Sequence, residues 1–161
     1  ENTVSNLTKE QVKAIYTGEI TNWSEVGGPD APITVVIRES GSGTRTAFGE
    51  ITGVEDEDLV STATECKDTG AVQTTVSQNA NAIGYMSFSD LDASMVKAVE
   101  FEGTAISTDT LKDGSYTLQR SFLMVTKDGA ELSPAAQAFV DFVLSDEGQK
   151  LVSDNKLIPI K

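Results

Sequence analysis

Apolar positions along this chain recur in two rhythms, a helical one and short runs of consecutive β-branched residues. Leu7-Thr8-Lys9-Glu10-Gln11-Val12 opens a first helix. Thr8 and Gln11 have the spacing of a capping box, and Leu7 and Val12 that of a hydrophobic staple. Val12, Ile15 and Tyr16 form the expected inward face, and Gly18 is the expected stop. Trp23 and Val26 follow in a turn-rich stretch closed by Gly27-Gly28-Pro29. Ile33-Thr-Val-Val-Ile37 predicts a buried strand. A helix is expected from about Thr44 to Ile51, with Ala47, Phe48 and Ile51 inward.

The acidic run Glu55 to Asp58 reads as a solvated loop or helix face. Thr69-Gly70-Ala71-Val72 opens another helix, with Val72 and Val76 one turn apart. Ala82 to Met86 and Val96 to Phe101 predict two more strands. Tyr116 to Thr126 is the longest strand candidate and follows the turn Lys112-Asp113-Gly114. Ser133-Pro134 is a helix start, an N-cap followed by Pro at the first helical position. That helix is expected to bury Phe139, Phe142 and Val143, with Ser145 capping a further helix that ends near Asp154. The apolar tail Leu157 to Ile160 should pack against something. Helices alternating with strands predict an α/β fold.

Composition narrows the function. The chain has 161 residues, enough for one domain with a real core, a net charge of −13 and no His. Nucleic acid and anionic membrane surfaces need a basic patch and are excluded as partners. Without His the commonest general base and neutral metal ligand are missing, so no catalytic, metal or cofactor site is expected. Cys66 is the single cysteine, which leaves no disulfide within the chain. Glu1 opens a polar segment, so no leader is expected in these residues.

The strand at Ile33 to Ile37 runs straight into Arg38-Glu-Ser-Gly-Ser-Gly-Thr-Arg45. Glycines let a backbone approach a ligand closely. The amides opening the next helix point along a dipole that favours anions. Arg38 supplies a planar fork of donors suited to phosphate or carboxylate oxygens. The spacing excludes a nucleotide P-loop, since no Lys follows Gly43. It excludes the dinucleotide fingerprint and the G-x-S-x-G elbow, which need a Gly where Arg45, Thr46 or Thr44 stands. Local residues alone leave two readings open, an oxyanion cradle or an ordinary strand-to-helix turn with Arg38 as a surface cation.

Arg38 to Arg45 closely resembles the phosphate-binding motif of the solute-binding proteins of bacterial phosphate ABC transporters, in the type II periplasmic-binding-protein superfamily. Leu7 to Val12 with Ile15 to Gly18 and Ile20 to Trp23 is similar to that family's entry into its second lobe. Ala82-Ile-Gly-Tyr85 and Phe139-Val-Asp-Phe142 with Ser145 to Gln149 resemble two later segments. The resemblance implies an α/β three-layer sandwich lobe, a mixed central sheet flanked by helices. Residues 1–115 would be the second, anion-loop lobe. Residues 116–161 would be a return strand and C-terminal helices running toward a first lobe that this chain is expected to lack.

By the same resemblance, Arg38, Ser42, Gly43 and Thr44 are the expected phosphate ligands, with Ser40, Gly41 and Arg45 as further candidates. Arg45 either faces the anion or pairs with nearby carboxylates. Some members have an Asp two residues after the Arg to hold the guanidinium, where this chain has Ser40. Glu39 could serve, but strand alternation would send it to the opposite face. The expected partners are inorganic phosphate, ABC-transporter permease subunits and the missing lobe, at an extracytoplasmic location, periplasmic or lipid-anchored at the cell surface. The alternatives are a lobe for another oxyanion, such as sulfate or molybdate, or an interaction or sensor domain with a vestigial site.

Overall fold

A computed structural model describes residues 2–160. The chain divides into two compact units, Glu1–Gln119 and Arg120–Lys161. In the first, β1 (Asn6–Leu7) leads into α1 (Lys9–Thr17), and a 3-10 turn at Trp23–Val26 precedes β2 (Thr34–Arg38). Then come α2 (Gly43–Thr52), β3 (Thr64–Cys66), α3 (Thr69–Ser77), β4 (Ala82–Ile83), β5 (Glu100–Phe101) and α4 (Thr108–Lys112). The α1 capping box forms as expected: Thr8 Oγ1 accepts from the Gln11 amide at 3.2 Å, and Gln11 Oε1 accepts from the Thr8 amide at 2.9 Å. Gly18 ends the helix at φ +81°.

The central sheet has the order β3-β2-β4, all parallel, and β1 pairs with β5, also parallel. The expectation of a mixed sheet is therefore corrected for the strands among the described residues. Antiparallel pairing is confined there to the bridges Asn22 to Pro32 and Phe101 to Thr104. Parallel neighbours need crossover helices, and each connection here carries one.

Alternation along β2 gives the sheet two cores. Val35 and Ile37 join Val12, Ile15, Tyr16 and Phe48 of α1 and α2, while Val36 joins Cys66 and Val72 on the α3 side. The connection β2 to β3 steps one way and β3 to β4 steps back across β2, so right-handed crossovers put α2 and α3 on opposite faces. The three layers follow from that reversal. Ile51, expected inward, is half-buried, and Thr52 beside it is fully buried with its hydroxyl donating to Phe48 O at 2.6 Å.

In the second unit, α5 (Pro134–Leu144) begins at the Ser133 cap and α6 (Asp146–Asp154) at the Ser145 cap, both as expected. Gln149 ties this unit together. Its amide donates to Val143 O and its carbonyl accepts from the Ile160 amide, each at 2.8 Å. Two expectations are corrected here. Tyr116 to Thr126 forms no strand, because none of its backbone is paired in a ladder among the described residues. Phe139 and Phe142, expected to be buried, are 63% and 42% exposed. A two-helix unit has too little facing surface to cover them.

Candidate functional site

The carboxyl end of β2 delivers Arg38 between the starts of α2 and α3. Arg38 lies two residues past Val36 and so shares its face, the one that packs on α3. There Nη1 donates to Thr69 Oγ1 at 2.9 Å, on the first residue of α3. Nε and Nη2 donate to the two carboxylate oxygens of Glu39 at 2.8 and 2.9 Å. The objection that alternation would send Glu39 away is overturned. Glu39 lies beyond the last β2 residue, so its side chain is free of the strand's alternation.

The main chain of Arg38 is held as well. Its amide donates to Tyr85 Oη at 3.2 Å, and its carbonyl accepts from Arg45 Nη1 at 2.9 Å. Tyr85 stacks on Phe48, ring centres 4.1 Å apart, which anchors that hydroxyl to the core. The Arg38 side chain is 12% exposed, and its bonds to Glu39 and Thr69 present this largely covered cation in one orientation. Hydrogen bonding to Glu39 strengthens the hold of Arg38 on its proton and lowers the Glu39 carboxyl below its usual range. Burial pushes the Tyr85 phenol up and keeps it neutral, against the Arg38 amide and the nearby guanidinium groups.

Arg45 pairs with carboxylates, the second of its two expected roles. Nε donates to Asp56 at 2.8 Å and Nη1 also reaches Glu65 at 3.2 Å. Burial alone would weaken its proton affinity, but Asp56, followed by Tyr85 and Glu65, more than compensates. Asp56 comes from the acidic run, which is an exposed turn.

Gly41 turns the loop at φ +87°, a conformation that side chains rarely tolerate. Ser42 is 5% exposed and caps α2, its Oγ accepting from the Arg45 amide at 3.3 Å. The amides of Gly43 and Thr44 precede the first intrahelical bond and are left for a ligand or water. Gly43 is exposed and Thr44 half-buried, while Ser40 is exposed on the loop. Arg38, Ser42, Gly43 and Thr44 thus share one loop at one helix start. Thr69 and Tyr85 were missed as members of this site. The signal for Thr69 was its position opening a helix; that for Tyr85 was its place at the end of an apolar strand motif.

Glu39 neutralises Arg38, so the site offers directed donors more than net charge. An α/β sandwich with a Gly-rich, Arg-bearing loop at the carboxyl end of its central strand is the class that this fold defines. The chain belongs to the family of the PBP superfamily domain, which it matches over residues 1–147. It is 45% identical over 136 residues to the phosphate-binding protein PstS 2 of Streptococcus pneumoniae serotype 4, covering 80% of this chain and 46% of that protein. It is 32% identical over 160 residues to PstS of Bacillus subtilis, covering 98% of this chain and 51% of that protein. Among solved structures it resembles a Clostridium perfringens protein with bound phosphate (TM-score 0.87, 46% identity, 100% of this chain and 65% of the other). It also resembles an ABC-type phosphate transport receptor from Vibrio cholerae (TM-score 0.89, 37% identity, 98% and 65%). The chain spans about half the length of these curated relatives.

Proposed function

We propose that this chain is the anion-loop lobe, with its C-terminal return, of an extracytoplasmic solute-binding protein that captures inorganic phosphate for ABC-transporter uptake. The observation that carries the reading is the Arg38 guanidinium, fixed by Glu39 and Thr69 at the end of the strand whose loop opens α2 with the uncapped amides of Gly43 and Thr44. The relatives named phosphate-binding protein, and the neighbour solved with phosphate, support the choice of anion. Arg38 supplies the charge, Gly43 and Thr44 their amides, and the Ser42 and Thr44 hydroxyls further donors. Residues 116–161 lead toward the first lobe, which closes on the anion from the other side. Permease subunits receive the loaded protein outside the cytoplasm, where it is periplasmic or lipid-anchored. Its work is capture and release, with no bond made or broken.

Each charge-assisted hydrogen bond contributes about 1.5–3 kcal/mol, and micromolar affinity needs about 8 kcal/mol. Facing water holds each bond near the lower figure, so three or four of them sum to about 4.5–6 kcal/mol and fall short of that. Phosphate titrated into this chain and followed by NMR should therefore bind at roughly millimolar strength or weaker, with shifts at Arg38 and Ser42 to Thr44. Arg38→Ala should abolish those shifts and Glu57→Ala should preserve them. Sub-micromolar affinity would overturn the half-site reading. Stronger binding of sulfate or molybdate than of phosphate would overturn the choice of anion.

A further inference from the structure

We propose that Thr69 is a positioning residue for anion capture, tying α3 to the anion loop through the Arg38 guanidinium; the proposal rests on the phosphate reading above. Glu39 cannot fix the guanidinium by itself. It lies past the end of β2 with a side chain 32% exposed, so an Arg38–Glu39 pair held by nothing else could swing as a unit. Thr69 is different in kind. It is the first residue of α3, a helix whose Val72 is 1% exposed against Val36 and Cys66. Its hydroxyl oxygen accepts from Nη1 at 2.9 Å, so the far end of the guanidinium is pinned to a body packed on the sheet.

Donor arithmetic gives this pin a function. A guanidinium carries five N–H groups, and Glu39 and Thr69 accept from three nitrogens, Nε, Nη2 and Nη1. One N–H on each terminal nitrogen is left over. That pair can grip two oxygens of one tetrahedral oxyanion, provided that the plane of the group is fixed. The acceptor on α3 fixes it.

Thr69→Val keeps the side-chain shape and removes the acceptor, while Thr69→Ser keeps the acceptor. Inorganic phosphate is titrated by NMR into the wild-type chain and both variants, and the Arg38 guanidinium N–H signals are recorded without phosphate. Thr69→Val is expected to weaken phosphate binding about three- to tenfold and to broaden the Arg38 signals, with Thr69→Ser restoring both. A purely structural role would lower the melting temperature without that rescue pattern. Thr69→Val binding within about twofold of a wild type that does bind overturns the proposal. A wild type that does not respond to phosphate overturns the functional reading instead. In that case the Arg38 signals decide the positioning claim: sharp in Thr69→Val, they overturn it, and lost there but present in Thr69→Ser, they support it.

Discussion

The guanidinium of Arg45 donates to the main-chain carbonyl of Arg38 at 2.9 Å, so the second cation of the anion loop braces the first. The same group reaches Asp56 and Glu65, whose side chains are 70% and 56% exposed. Exposed carboxylates add little, so the carbonyl contact is the part that matters.

Arg45→Ala is therefore expected to cost about 1–2 kcal/mol of stability and to weaken phosphate binding. Arg45→Lys should restore only part of the loss, because an ammonium cannot serve three partners from one plane. Chemical denaturation and a phosphate titration of the three proteins check this. A lysine variant equal to wild type in both would mean that charge alone suffices.

Glu39 makes the clamp sensitive to acid. Its folded carboxyl sits below its ordinary value of 4.5 because Arg38 donates to both oxygens. The stabilisation is present in full above that ordinary value and is lost as pH falls through the depressed one. Carbon NMR of the Glu39 carboxyl should show no titration from about pH 8 to 5, then a step in the acid range together with broadening of the Arg38 signals. Glu39→Gln should broaden those signals at neutral pH. A carboxyl titrating above 4.5 would reverse the sign of the argument.

Gly84 sets how closely α3 lies on the sheet. A Cβ there would stand 2.8 Å from Val72 Cγ1, 3.2 Å from Val76 Cγ2 and 3.5 Å from Val36 Cβ. β-branched residues have little freedom to turn aside. Gly84→Ala is expected to destabilise by about 1–3 kcal/mol in thermal or chemical unfolding. An unchanged midpoint would mean that α3 can back off without cost.

The ring of Tyr16 packs against those of Phe48 and Tyr85, and its buried hydroxyl has no hydrogen-bond partner among the described residues. Burial, and then the nearby Tyr85, pushes its phenol well above the ordinary value, so it stays neutral. An unsatisfied buried hydroxyl costs about 1–3 kcal/mol. Tyr16→Phe should raise the unfolding midpoint by a comparable gain in stability, and a loss would reveal an acceptor.

Features written in local spacing were legible from the sequence. The Thr8–Gln11 box, the Gly18 stop, the Ser133 and Ser145 caps and the course from β2 into α2 each depend on a few neighbouring residues. Thr64–Cys66 was not foreseen as a strand, because three residues with two exposed ones carry no hydrophobic period. Tyr116 to Thr126 misled for the converse reason. Its apolar residues suit a strand, but a ladder needs a neighbour that spacing cannot supply. At the site, Arg38 and the loop amides announced themselves, whereas Thr69 stands 31 positions away and is brought in by the β3 crossover. Glu39 was recognised as a candidate and set aside by applying strand geometry one residue too far.

The pairing of Val36 with Thr64 and of Arg38 with Cys66 fixes which side of the sheet Arg38 joins. Deleting one residue between Thr34 and Ile37 would leave the string from Arg38 to Arg45 intact and turn the Arg38 side chain toward the face of Phe48. Two proteins could then carry the same eight-residue signature, one able to hold an anion and the other inert. The count of residues in the preceding strand would separate them.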